Sequence, residues 1–495
     1  MGFVMIGFTS QAEAVLHTWT GSSNTMWSNI GNWSSSNFPA TAPGEFDDVL
    51  IGNGVVPSND PHITASTTVR DVTVQQYTTF QDGVLSIDQG ILELNDLDIG
   101  VVSKGTVGLP FTSSILNANG QITVGSTGIL TNRFGSIEQF TSQPIVISGT
   151  YNQITSSSAQ LGTNNLQVKS GGNVLHSRGT VSINTLLAID GGNNARYSLQ
   201  GTGTLAVPRI NIGNSGGGTL LLLGSAQLTS TNTINVLTSG LFDVRIDYDY
   251  NGTLALGNLL SSTVKLDDGG TPKTLTMSGL NGLLRGEGII DGHLINAATV
   301  DPGLGFDGSF TLMHDYEQTS SGTLFTDITG TSLSAYDNLD VSGDVILDGA
   351  LEAKLPTSFT PVEGDRFDII AYEGARTGTF SIVTLPALTP GISMALVYNT
   401  NAVTLAAGLD GDLNLDGFVG IDDLNIVLGN WNQDVSENVW AMGDPTGEGF
   451  VGIDDLNIVL GNWNAGTPPA ASAMVPEPAC ILLFTGVMGL LIYRG

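Results

Sequence analysis

Between about residues 15 and 405, short β-branched or Leu-rich runs alternate apolar and polar side chains at period two, and Gly, Asn, Asp and Ser return about every 8 to 12 positions. A chain written this way sends alternate side chains to opposite faces and turns before a helix can grow, so it folds as many short strands. The runs GVLSIDQGILELNDLDIG (83–100), GQITVGSTGIL (120–130), GTVSINTLLAIDGG (179–192) and GTLAVPRINIGNSGGGTLLLLGS (202–224) carry the pattern. Units of about 20 to 25 residues with strand, turn and strand in similar order favour a mainly β protein whose body is a right-handed parallel β-solenoid. Consecutive Ig-like sandwiches are the alternative, and they would need clearer linkers than this chain has.

Composition agrees with a turning, folded body. Gly accounts for 65 of 495 residues and hydrophobic residues for 41%, while charged residues are only 12%. Disorder needs the opposite balance. With few Lys, Arg or Glu residues to solvate helical faces, helix is expected to be scarce before about residue 410. The 46 acidic and 15 basic residues leave a net charge of −31. That charge argues against nucleic acid or an anionic lipid surface as a partner and favours cations or neutral polymers. The single cysteine, Cys480, permits no intramolecular disulfide and no cysteine-based zinc site.

Little in the body reads as catalytic. Asp243, Asp247 and Asp249, with Arg245, are spaced by two in FDVRIDYDY and are expected on one solvated strand face. His17, His62, His176, His293 and His314 are scattered singly and are read mostly as loop or surface residues. No catalytic residue is assigned from the sequence.

The sharpest signal is a duplication. GFVGIDDLNIVLGNWN occupies 417–432 and recurs, unchanged, at 449–464. Before the first copy, Asp412-Leu413-Asn414-Leu415-Asp416-Gly417 completes a loop with side-chain oxygens at positions 1, 3 and 5, Gly at 6 and a carboxylate at 12. This is the donor order of a calcium loop. Asp412, Asn414, Asp416 and Asp423 supply side-chain ligands, Phe418 a backbone carbonyl, and Gly420 marks the water position. Calcium suits the set because it takes six to eight hard oxygens with loose geometry. In the second loop, Asp444, Thr446, Glu448, Phe450 and Asp455 stand at the corresponding positions, and Thr446 and Glu448 are expected to make that site weaker or absent.

After each loop, apolar residues fall at helical spacing: Ile421, Leu424, Val427, Leu428 and Trp431 in the first copy. Two loop–helix units 32 residues apart resemble the type I dockerin over about 410–464. The resemblance implies a pseudo-symmetric calcium-binding pair that docks a cohesin-like partner. The partner-reading positions are Ile421 with Asp422 and Ile453 with Asp454, unlike the small or hydroxyl pairs common in cellulosomal dockerins. A metal-stapled stalk is the plainer alternative. Eleven acidic and no basic residues in 410–464 make calcium important to this segment's stability.

The ends read as address labels. Phe3 to Phe8 followed by Ala12-Glu13-Ala14 has the form of a signal-peptidase site, although the first basic residue is Arg70. A start upstream of Met1 and a buried first strand both remain open. Val475-Pro476-Glu477-Pro478, an apolar run from Ala479 to Tyr493 and then Arg494 resemble the PEP-CTERM sorting signal. The resemblance implies recognition of Pro476, Glu477 and Pro478 by an exosortase-like membrane protease, with Arg494 at the membrane boundary. Fifteen apolar residues make a helix of about 22 Å, a short transmembrane stop.

Two further segments resemble large bacterial surface β-solenoids. Residues 18–52, with Trp19, Trp27 and Trp33, look like the start of such a body, where the tryptophans would cap the first coil. Residues 310–405 are similar to the closing part of autotransporter-like passengers. The expected organisation is therefore a signal remnant (1–14), a solenoid body (15–305), its C-terminal β part (306–408), a dockerin-like module (409–465), a linker (466–474) and the sorting tail (475–495). The favoured function is that of an exported cell-surface or extracellular-matrix structural or adhesion-type protein, touching extracellular polysaccharide or other surface proteins. The competing reading is a polysaccharide-degrading β-helix enzyme, lyase or glycoside hydrolase, tethered by its dockerin. A groove with converging acids and an Arg or Lys would mark the latter.

Overall fold

The computed structural model describes residues 15–35, 41–52, 59–75, 83–191, 194–229, 231–257, 262–267, 270–303, 308–435 and 439–469. The chain divides into two compact units. The first comprises 1–360, 367–386 and 398–405; the second comprises 361–366, 387–397 and 406–495.

The first unit is a parallel β-solenoid. Thr150 pairs with Asn173, Asn173 with Arg196, and Arg196 with Thr219, so each of these turns takes 23 residues. Farther along, Thr311 pairs with Asp340 and Asp340 with Ala371, steps of 29 and 31 residues that accommodate longer corners. Among the described residues the strands gather into three sheets. Period-two alternation is what closes the wall: in Gly83–Ile87, Gly105–Leu109 and Thr274–Met277, every second residue is buried. Along one sheet Tyr197, Leu220, Phe242, Val264, Ile290, Leu312 and Val341 stack one per turn as a continuous buried ladder.

Polar side chains inside the wall are satisfied by the corners. The Tyr151 hydroxyl donates to Gln153 Oε1 at 2.5 Å, and the Gln153 amide reaches the carbonyls of Ala159, Arg178 and Thr180. Tyr316 and Gln318 repeat the device, with the Gln318 amide donating to the carbonyls of Asp348 and Ala350 at 2.8 Å. Burial holds both phenols well above their usual pKa. On the outside, the Asp315 carboxylate accepts the Asp344 N–H, and Asp344 in turn accepts the Ala375 N–H, both at 2.8 Å. At the N-terminal end, Leu16–Trp19 pairs antiparallel with Trp33–Ser35 and parallel with Asp48–Ile51. There Trp33 meets Trp19 and Trp27 edge-on at 4.9 and 4.8 Å between ring centroids.

Two expectations about individual residues fail here. The run FDVRIDYDY is not one strand: Gly240–Val244 ends before Arg245, and Tyr248–Tyr250 begins in another sheet. The corner between them breaks the period, so Asp243 is buried against the Arg245 guanidinium at 2.9 Å while Asp247 accepts the Thr274 N–H. His17 and His176 are core rather than surface residues, at 1% and 0% exposure.

The second unit holds the two α-helices among the described residues, α1 (Ile421–Gly429) and α2 (Ile453–Gly461). They pack over Leu413, Val419, Val427, Trp440, Val451 and Val459. Only part of the apolar stripe is used: Val427 is buried, whereas Ile421, Leu428 and Trp431 remain exposed. No helix among the described residues is long and apolar enough to cross a membrane. The expected C-terminal helix at 479–493 lies outside the described residues.

Candidate functional site

The loop before α1 draws its two end carboxylates inward. Asp412 is 1% and Asp423 0% exposed. Asp412 accepts the N–H groups of Asp416 (3.1 Å) and Gly417 (2.8 Å), and Asp423 accepts those of Leu413 (2.8 Å), Asn414 (3.3 Å) and Gly420 (2.8 Å). The last of these also caps α1, so the same carboxylate closes the loop and starts the helix. Asn414 Oδ1 accepts the Asp416 N–H at 3.0 Å and Asp416 Oδ1 the Phe418 N–H at 3.0 Å, so each odd-numbered side chain is tied to the backbone two residues on. Leu415 and Gly417 take the left-handed conformation that makes this turn, at φ of 57° and 86°. Burial and the charges of Asp423 and Asp416 raise the Asp412 pKa, against the lowering effect of its backbone donors.

The second loop repeats the frame with different chemistry inside. Asp444 accepts the Gly447 and Gly449 N–H groups at 2.7 and 2.6 Å, and Asp455 accepts that of Gly452 at 2.8 Å. Thr446 Oγ1 lies 2.8 Å from Asp444 and 2.9 Å from Asp455, bridging two carboxylates with one hydroxyl. It engages lone pairs that a cation would otherwise take. The two loops support each other crosswise. Val419 bonds to Ala465 and Asn464 after α2, and Val451 to Asn432 and Gln433 after α1.

The first loop offers oxygen donors of the kind a hard divalent cation takes, but its carboxylates are not drawn as close as those of Asp301, Asp327 and Asp337 in the solenoid. Asp412 and Asp423 are buried carboxylates whose described hydrogen bonds all come from backbone N–H groups, and burying two carboxylates in one loop is costly unless their charge is compensated. Arg366 and Glu363 line a cavity of about 200 Å³ together with Asp412 and Asp416. Asp412, Asn414, Asp416, the Phe418 carbonyl and Asp423 are the residues that could hold the ion; the second loop offers Asp444, Thr446, Glu448, the Phe450 carbonyl and Asp455. Ile421, Asp422, Ile453 and Asp454, the positions expected to read a partner, are all exposed. Pro476, Glu477, Pro478 and Arg494 lie outside the described residues.

A second constellation escaped the sequence reading. Carboxylate oxygens of Asp301, Asp327 and Asp337 lie within 4.8 Å of one another in the solenoid. Asp301 and Asp327 line an open groove of about 790 Å³, and Asp337 is buried at 1% exposure. Burial, reinforced by the Asp327 charge, raises Asp301, with Lys354 and Arg285 opposing; burial raises Asp327, again opposed by Lys354. Burial pushes Asp337 up to about 8 despite the Asp327 and Gly308 N–H groups that it accepts. Asp301 and Asp327 sit on adjacent paired strands, but the register sets Thr299 against Thr323, so the two are not direct partners and turn length alone does not match them.

No protein-family model matches the chain, and neither does any curated protein.

Proposed function

We propose that this is an exported cell-surface or extracellular-matrix protein in which the β-solenoid is the displayed body and the duplicated loop–helix pair is a calcium-binding, dockerin-like module for attachment or assembly. In this reading the solenoid winds right-handed, the hand that sterics favour for parallel crossovers. An exosortase-like protease processes the tail after Pro476-Glu477-Pro478 recognition, the apolar run holds the chain transiently in the membrane, and a cohesin-like protein or extracellular polysaccharide is the partner. The net charge of −31 keeps nucleic acid out of the partner list. One observation carries the calcium reading: two fully buried carboxylates, Asp412 and Asp423, face one loop whose remaining donors are oxygens. The first loop is the strong site, and the Thr446 bridge makes the second weak or silent.

Calorimetric calcium titration of the full chain tests this against the Asp412→Ala/Asp423→Ala double variant. One tight binding event with a gain of helical signal, lost in the variant, is expected. Equal heats from the two proteins would remove the metal and leave a purely structural duplication.

A further inference from the structure

The groove on the solenoid runs across six turns. Its floor follows Thr233–Val236, Thr253–Leu256, Leu283–Gly286, Thr299–Pro302, Thr323–Asp327 and Ala350–Lys354, paired in parallel in that order. At ~4.8 Å per strand the five steps span roughly 24 Å. That length and openness suit an extended polymer. Asn232, Asn251 and Asn281 present amides along one stretch, and the other end carries Asp301, Asp327 and Lys354. Amides and hydroxyls are the groups that recognise a polyhydroxylated chain without demanding charge from it.

The acidic end is built with cations at both sides. Arg285 stands opposite Asp301 in register, and Lys354 opposite Asp327. Lys354 is held in place by Glu352 at 3.1 Å and by the Phe325 ring, 4.2 Å from its ammonium. Behind them Asp337 fixes the end of the strand, its Oδ2 accepting the Asp327 N–H at 2.8 Å. Two groove-lining carboxylates this close disfavour each other's ionisation, and the Lys354 charge, opposite Asp327 in register, offsets part of the rise.

We propose that this groove binds a neutral polysaccharide and hydrolyses its glycosidic bond with retention of configuration, Asp301 acting as general acid and Asp327 as nucleophile. The nearest carboxylate oxygens lie no more than 4.8 Å apart, which leaves out the wider gap that an inverting pair needs to admit a water. In the first step the Asp327 carboxylate attacks the anomeric carbon while Asp301 passes its proton to the glycosidic oxygen; the C–O bond breaks and a glycosyl ester forms. In the second, Asp301 takes a proton from water, the hydroxide adds to the anomeric carbon, and Asp327 leaves as carboxylate. Water is the only co-reactant. Lys354 is a positioning residue whose charge favours the carboxylate form of Asp327 against its burial. Burial raises both carboxylates, and the Asp327 charge adds to the rise at Asp301 while Lys354 and Arg285 oppose it.

The test incubates the full chain with linear β-1,3-glucan, β-1,4-xylan, β-1,4-mannan and amylose, with polygalacturonate and casein as controls, and measures new reducing ends, new peptide ends and the anomer first released. Cleavage of at least one neutral polymer with retention is expected, falling at least ~10²-fold in Asp327→Asn and in Asp301→Asn. Asp301→Asn should also flatten the alkaline limb of the pH–rate profile, a change that a merely structural role would not produce, while circular dichroism keeps both variants folded. Absence of product from all four neutral polymers, cleavage of only polygalacturonate or casein, inversion at the anomeric centre, or unchanged rates in both variants would each overturn the proposal.

Discussion

His176 shows how a single buried side chain ties the solenoid's stability to pH. It sits at 0% exposure, with Nδ1 2.9 Å from the Tyr197 hydroxyl and Nε2 3.0 Å from the Gly179 carbonyl oxygen. Burial lowers its pKa from 6.5 to about 4, the two backbone acceptors at Gly179 and Arg178 opposing only in part. The folded chain therefore resists a proton that the unfolded chain accepts. Stability from this site is fully present above about pH 6.5 and is lost as the pH falls toward 4, up to roughly 3 kcal/mol at 1.36 kcal/mol per pKa unit. Urea unfolding at pH 7.5 and 4.5 should show a steeper loss in the wild type than in His176→Gln, whose amide cannot titrate; equal losses would mean that the imidazole does not control acid sensitivity. The same residue shows a limit of sequence reading. Nothing local distinguishes His176 from an exposed histidine until the strand register aligns it with Leu199 and sets it near Tyr197.

At the level of elements, the duplicated loops are a paired experiment made by the chain itself. Position 4 of the first loop is Leu415 with φ of 57°, and position 4 of the second is Gly447 with φ of 74°. The left-handed conformation costs a residue with a Cβ about 1–2 kcal/mol, partly offset because glycine has more entropy to lose on folding. Leu415→Gly should therefore raise the stability of the second unit by up to about 1 kcal/mol, and Gly447→Leu lower it by a similar amount. Denaturation followed through Trp440, buried with its indole N–H on the Asp412 carbonyl at 2.7 Å, reads both changes. The loops, their helices and the strand-rich body were legible because each rests on local chemistry: donor spacing, Gly positions and period two. The Asp301–Asp327–Asp337 group was not, since it depends on turns of unequal length that bring distant residues onto neighbouring strands. FDVRIDYDY failed for a related reason, because a corner between two sheets leaves no mark on an alternating run.

Across the whole body, each turn is held mainly by the turns on either side, so stability is distributed as nearest-neighbour interfaces and not as one central core. Phe242 is fully buried between Leu220 and Val264 on adjacent turns. Truncating it removes packing from both interfaces at once, and Phe242→Ala should cost about 3–5 kcal/mol. Trp33 is also buried, but among the described residues its strand pairs only with Leu16–Trp19, antiparallel, and the parallel stack runs on from that strand to Asp48–Ile51. The two substitutions should thus differ in reach more than in size. Hydrogen exchange of Phe242→Ala should accelerate in the turns holding Gly218–Leu222, Gly240–Val244 and Thr263–Lys265 and decline toward both ends of the solenoid. In Trp33→Ala the faster exchange should be confined to the first turns. Loosened central turns also open two fresh rows of unpaired strand N–H and C=O groups, the template for edge-to-edge pairing. Phe242→Ala is accordingly expected to self-associate on mild heating while Trp33→Ala exposes one such edge and associates less, a contrast that light scattering resolves. If exchange rose uniformly along the chain in both variants, the solenoid would be unfolding as a single cooperative block and the nearest-neighbour account would be wrong.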